Sequence, residues 1–342
     1  MAKIMFIGDP HLKITNFQLA LKFLEWLNKL ITEVRPDAVV NLGDMFDTHA
    51  VLRSEIMTEA IAHVDYVRSL EIPYAYLLGN HDFYKPKSDK YHALKHMKGK
   101  VPGFYIVDEE MDWMGMTLVP HKPNPADFPT KSLPICVAHQ TFKGADYGDI
   151  TTQEGVDCQS IQGAELVISG HIHKRQLLQQ GSSGGPSVLY VGSPFAQSAS
   201  DINQVKGITV LDTDTYEQTF YECSLPKWRG DKFTIEAGFT TTDMHEYISN
   251  NLANSRDHWR LEMVGPKAEI MGYLNSAEYK KTIEGIDVKI KTTFTDREKR
   301  QIRIDSLKVG DIITQYVAKV YSGSLDKTLL TEKALEILRD TK

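Results

Sequence analysis

Five times in its first half the chain runs through a few apolar residues and then, almost at once, reaches side chains of a kind that can bind metal ions. Residues 4–7 lead to Asp9 and His11, 38–42 to Gly43-Asp44, 74–78 to Gly79-Asn80-His81-Asp82, 135–138 to His139, and 166–169 to Gly170-His171-Ile172-His173. Short unbroken apolar runs bounded by Gly or Pro predict buried strands. Between the first runs, Phe17, Leu21, Leu24 and either Leu27 or Asn28 mark a helix face that must end before Pro36, and Ile56, Ala60, Ile61, Val64 and Val67 mark a second. Strands alternating with helices predict a layered α/β domain. In such sheets ligands lie beyond the carboxyl ends of the strands. All five polar clusters sit at those ends, so they can converge on one place.

The rest of the chain is organised differently. A hairpin is expected from residues 176–178 and 188–191 around a Gly/Ser-rich turn, and a last strand from 207–212. The Pro-rich stretch 120–134 is expected to cross the surface. Beyond Pro226, residues 232–237, 258–264 and 287–294 predict strands, and 242–252 and 266–274 predict helices. Two helical stripes follow, one of Val309, Ile312, Ile313, Tyr316, Val317 and Val320, the other of Leu329, Leu330, Ala334, Leu335, Ile337 and Leu338. The expected domains are therefore 1–226, 227–295 and 296–342. By length alone, 342 residues imply about two domains, and 42% hydrophobic side chains allow a sizeable packed core. Cys136, Cys158 and Cys223 are too few and too scattered for a disulfide framework, which suits a reducing cytosol. The first residues form too short an apolar run for a signal peptide, and no stretch reaches the length of a membrane span. The expected location is the cytoplasm, or the host's cytoplasm if the source is viral.

The residue types in the five clusters point to one chemistry. Two divalent ions about 4 Å apart clamp the oxygens of an in-line phosphate displacement. They need a bridging carboxylate, oxygen and imidazole ligands, and an open side. Asp9, His11 and His173 suit one ion and Asn80, His139 and His171 the other, with Asp44 as the bridge. Such ligands fit manganese, iron or zinc better than calcium, and the ions supply a hydroxide nucleophile at neutral pH. His81, next to Asn80, is expected to face the substrate as a general acid or a stabiliser of phosphate charge. Asp47 is read either as the carboxylate that orients His81 or as a helix N-cap. His49, His63, His92, His96, His121, His245 and His258 follow no strand and are expected to be surface or core imidazoles.

This set of motifs resembles the calcineurin-like metallophosphoesterases over residues 4 to about 212. Within them Gly43-Asp44-Met45-Phe46-Asp47, Gly79-Asn80-His81-Asp82, Gly170-His171-Ile172-His173 and the closing segment Tyr190-Val191-Gly192-Ser193-Pro194 resemble the SbcD-type nuclease subunit of DNA recombination and double-strand-break repair, and its phage counterpart. The resemblance implies a β-sandwich flanked by helices, a small α+β capping domain, and manganese-dependent 3′→5′ exonuclease activity on double-stranded DNA with endonuclease activity on single strands or hairpins. It also implies an SMC-like ATPase partner gripped by residues 300–342, and a homodimer within a heterotetramer. Asp47 departs from the family, some members of which carry His there, and Lys13 stands where a Gly often follows the first motif.

A net charge of −6 does not announce a nucleic-acid binder. Locally, Lys85, Lys87, Lys90, Lys95, Lys98 and Lys100 follow His81 closely, either to hold DNA phosphates or as a solvated lysine-rich face. The competing functions are a phosphatase or small-molecule phosphodiesterase on the same core, and a non-catalytic scaffold. Thr48-His49 after Asp47 lacks the Arg-Gly of protein phosphatases, and a scaffold would be expected to lose metal ligands, whereas all seven positions are filled.

Overall fold

The computed structural model describes residues 2–47, 49, 51–85, 91–148, 150–178, 185–235, 240–252, 255–295, 314, 317 and 326–340. The chain forms two compact units, Met1–Thr293 and Phe294–Lys342. In the first, β1 (Lys3–Ile7), α1 (Phe17–Val34), β2 (Ala38–Asn41), α2 (Ser54–Ser69), β3 (Tyr74–Leu77) and β4 (Phe104–Val107) are followed by β5 (Met111–Trp113), β6 (Met116–Val119), β7 (Ile135–His139) and β8 (Leu166–Gly170). Then come β9 (Gln176–Leu178), β10 (Ser187–Tyr190), β11 (Gly207–Asp212) and β12 (Gln218–Glu222).

These strands make two six-stranded sheets, ordered β12-β11-β1-β2-β3-β4 and β5-β6-β7-β8-β10-β9. In the first, β1 to β4 are parallel and β11 and β12 add antiparallel at one side; in the second, β6, β7, β8 and β10 are parallel and the outer strands β5 and β9 antiparallel. Strands covered on both faces have no reason to alternate in polarity, which explains the unbroken apolar runs. In β1, Ile4 and Phe6 point to the second sheet and meet a cluster with Leu118, Val137, Ile168 and Leu189. Met5 and Ile7 point the other way, into a cluster with the two helices.

Helix α1 buries Ala20, Phe23, Leu24, Leu27, Leu30 and Ile31, a stripe at three- and four-residue spacing. It ends at Arg35, left-handed with φ 50°, whose N–H bonds the Ile31 carbonyl, and Pro36 cannot extend it. The outer face of the second sheet is covered by the connections after β6 and β7, which bury Phe128, Phe142, Val156 and Ile161. The proline-rich stretch expected to cross the surface does so while inserting Phe128 into that cluster.

A third sheet follows, of β13 (Trp228–Thr234), β14 (His258–Gly265) and β15 (Val288–Phe294), with α3 (Thr241–Leu252), α4 (Lys267–Asn275) and α5 (Ala277–Thr282). Phe233, Leu261 and Met263 are buried, as are Met244, Ile248, Leu252, Ile270 and Tyr273 of the helices. The expected strand 232–237 begins earlier, at Trp228, because β13 pairs in parallel with β14 from Trp228 opposite His258. Gly230 and Asp231 disguise that start, since both are poor strand formers. In the second unit the described residues contain one long helix, α6 (Lys327–Asp340), with Leu329 exposed. Of the first C-terminal stripe only Val317 is among the described residues.

Candidate metal centre

The carboxyl ends of β1, β2, β3, β7 and β8 meet at one rim, and the turns beyond them carry the polar clusters. Asp9, His11, Asp44 and His171 adopt φ of 20°, 43°, 51° and 80°. Such values are uncommon outside glycine and persist where surrounding bonds fix them. Those bonds are present. The His11 N–H donates to the Asp44 carbonyl at 3.0 Å. The His171 N–H donates to both carboxylate oxygens of Asp9, at 2.9 and 3.0 Å. The His81 N–H donates to Asp44 Oδ1 at 2.7 Å.

Asp44 Oδ2, the other carboxylate oxygen, lies 3.7 Å from His11 Nε2 and 3.3 Å from His139 Nε2. On the first side His11 Nε2 faces His173 Nε2 at 3.0 Å, and Asp9, His11 and His173 bring their ligand atoms within 4.8 Å of one another. On the second side Asn80 Oδ1 lies 3.0 Å from His139 Nε2 and 2.7 Å from His171 Nδ1, and the two imidazole nitrogens are 3.3 Å apart. His139 donates its other ring N–H to the Leu42 carbonyl at 2.7 Å, which orients Nε2 inward as metal-binding imidazoles require. The donors thus form two lobes sharing one carboxylate oxygen. Facing imidazole nitrogens and an amide oxygen, all lone-pair donors, fit a pair of divalent cations and fit little else.

Burial pushes the His11 and His171 imidazoles down to about 3, and neighbouring imidazoles add to the effect, so both present lone pairs. Burial alone would raise the Asp44 carboxyl, but His139, His11 and His81 outweigh it and hold it ionised. Burial would likewise lower His139, and Asp44 and Asp9 reverse that to about 9. A cation taking the His139 Nε2 lone pair must displace a proton, so binding releases protons.

His81 lines the cleft in front of these groups with Lys13, Gln197, Ser198 and Ser200. Its Nδ1–H donates to the main-chain carbonyl of Asp47 at 2.8 Å. The contact expected from the Asp47 carboxylate is therefore made by its backbone. The carboxylate turns away, to Lys13 Nζ at 3.2 Å and toward His11 Nδ1 at 3.6 Å. The N-cap of α2 is Arg53, so Asp47 caps no helix there. Lys85 is exposed, its ammonium 5.0 Å from the Tyr84 ring, while Lys87 and Lys90 lie outside the described residues. Lys98 is engaged by Asp108.

Several residues that hold this site were not singled out by the sequence. Asp82 is buried and accepts from the N–H groups of Asp44 and Gly79, at 2.9 and 2.8 Å, and from the Tyr76 hydroxyl at 2.6 Å. It ties the second motif to the third. Lys206, buried and paired with Asp201 at 2.6 Å, donates to the His173 carbonyl at 2.7 Å. Gln197 Nε2 donates to the Asp9 carbonyl at 2.7 Å. His121, expected to be an ordinary imidazole, is buried behind His139 and His171, with ring centroids 5.9 and 5.8 Å away. His49 lies against His81. Advance signals existed only for Lys206, near the closing segment, and for Asp82, in the third motif.

A family model for calcineurin-like phosphoesterases matches residues 2–175, a span that carries all seven ligand positions. The chain belongs to the calcineurin-like phosphoesterases. That family's fold binds two divalent metals, and the two lobes around Asp44 supply candidate ligands for both. Phosphoesterase 078R of Invertebrate iridescent virus 3 is 27% identical, with 94% of each chain covered. Exonuclease subunit 1 of Enterobacteria phage T4 is 23% identical over 64% of this chain and 67% of that protein. A subunit of the nuclease SbcCD of Staphylococcus epidermidis is 24% identical over 77% of this chain and 79% of its own. No described helix is long and apolar enough to cross a membrane.

Proposed function

We propose that this phosphoesterase is a manganese-dependent DNA nuclease, a 3′→5′ exonuclease on duplex ends and an endonuclease on single strands or hairpins. The observation that carries the phosphodiester chemistry is Asp44 Oδ2 standing between two sets of imidazole nitrogens. The likeness to two proteins named as an exonuclease subunit and a nuclease subunit supports DNA as the substrate. Asp9, His11 and His173 would hold one ion and Asn80, His139 and His171 the other, with Asp44 available to both. When bound, the ions polarise the phosphate and activate water. The chain's own residues do the rest. The bond from His81 Nδ1 to the Asp47 carbonyl turns Nε2 toward the cleft, where a protonated ring donates to the leaving oxygen or to a phosphate oxygen. The Asp47 carboxylate pairs with Lys13 at 3.2 Å and stands 3.6 Å from His11 Nδ1, beyond hydrogen-bonding reach, so it orients neither imidazole by a hydrogen bond.

In this reading residues 227–295 are a capping domain over DNA, Lys85, Lys87 and Lys90 hold phosphates, and residues 300–342 bind an SMC-like ATPase, with two copies of each subunit in the assembly. The test is digestion of end-labelled duplex DNA with manganese, in parallel with bis(p-nitrophenyl) phosphate. Nucleotide release from 3′ ends is expected, and Asp44→Ala should abolish metal binding and both reactions together. Hydrolysis of the small diester with intact DNA would overturn the nuclease reading and leave the family chemistry standing.

A further inference from the structure

His49 belongs to no motif, yet its ring lies over the face of His81, with centroids 4.3 Å apart and planes only 19° from parallel. Its Nδ1–H donates to the carbonyl of Asn80 at 3.1 Å, the residue just before His81. The rings of His81 and His11 meet edge to face, with centroids 4.6 Å apart at 83°. His81 is therefore held at one nitrogen by the Asp47 carbonyl, in an edge-to-face contact by His11, and across one face by His49.

A ring anchored by a single hydrogen bond still rocks about that bond. The motion carries Nε2 of His81, the atom left for substrate, in and out of line. Catalytic groups need to be held to about half an ångström and roughly 10–20°, and a misplacement of about 1 Å can cost about 10²-fold in rate. A flat side chain against the ring face removes the rocking freedom that the Nδ1 bond leaves.

We propose that His49 is a positioning residue for His81, fixing its ring by stacking while its own Nδ1–H secures the main chain at Asn80. This rests on the reading of His81 given above. His49 itself need touch neither ion nor substrate. Because the face contact is the essential part, another flat ring should serve in its place.

The test uses the full chain, manganese and bis(p-nitrophenyl) phosphate, with His49→Ala, His49→Phe, His81→Ala and the double variant His49→Ala/His81→Ala. We expect His49→Ala to lower kcat about tenfold or more with KM, metal content and melting temperature unchanged. His49→Phe should recover most of the rate, and the double variant should be no slower than His81→Ala alone, since a residue acting through another adds nothing once that other is gone. In the metal-free protein the His81 ring proton resonances, assigned by their loss in His81→Ala, should move in His49→Ala. A wild-type rate in His49→Ala, loss of metal in that variant, failure of Phe to rescue, or fully multiplicative effects in the double variant would each overturn the proposal. A wild-type rate in His81→Ala would instead remove the role of His81, and this inference with it.

Discussion

His139 and His63 are both fully buried imidazoles, and the partners of their ring nitrogens separate them. His139 has one nitrogen on the Leu42 carbonyl and the other among Asp44, Asn80 and His171. His63, on α2, has Nδ1 on Asn28 Oδ1 at 2.6 Å and no partner at Nε2. Sequence separates them on one ground, that His139 ends a strand and His63 lies within a helix. The place of His49 was not legible, since ring stacking between segments distant in the chain leaves no local pattern. Burial lowers the His63 imidazole from 6.5 to about 4. The unfolded chain therefore binds this proton first as pH falls, and the stability of keeping His63 neutral is present above pH 6.5 and lost on the way to pH 4. The loss is on the order of 3 kcal/mol. His63→Gln keeps a donor for Asn28 but cannot titrate, so urea unfolding at about pH 7 and about pH 4.5 should show a smaller drop than wild type. Equal drops would contradict this.

Elements with a strong period were readable, and those without were not. Helices α1 and α2 and the five strands that end in ligands have clear apolar spacing. Strands β4 and β6 are just as apolar, but Asp108 and His121 after them do not read as part of the pattern, and β5, β12 and α5 are short and half exposed. The close approach of two turns was also hidden. A Cβ on Gly79 would lie 2.2 Å from Asp44 Oδ1 and 2.6 Å from His139 Cε1, so the turn after β3 seats against the bridging carboxylate only as glycine. The neighbouring Gly43, at φ 104°, has its own Cβ position only 2.6 Å from the Gly79 nitrogen. Gly79→Ala must push Asp44 off its place. Manganese affinity, measured by calorimetry, should fall about 10–100-fold, the usual cost of disturbing what orients a ligand. Unchanged affinity would mean the turns separate freely.

Over the whole molecule, the two catalytic sheets and the third sheet lie in one compact unit, and the last residues form another. The candidate site draws all seven proposed ligands from residues before 174, so removing residues 300–342 should leave hydrolysis of a small diester within about twofold, while a pull-down with the proposed ATPase partner should lose its capture. Retained capture would contradict the proposed role of the C-terminal segment. The architecture was legible because strand ends and ligand types coincide. The third sheet was legible only in outline, because strands carrying Gly, Asp and Lys on an exposed face resemble loops. What the account asserts above all is one carboxylate shared by two cations. Anomalous scattering from crystals grown with manganese measures this directly. Two peaks about 4 Å apart, one beside His11 and His173 and the other beside Asn80, His139 and His171, with Asp44 touching both, are the expected result. A single peak, or peaks that do not share Asp44, would contradict it.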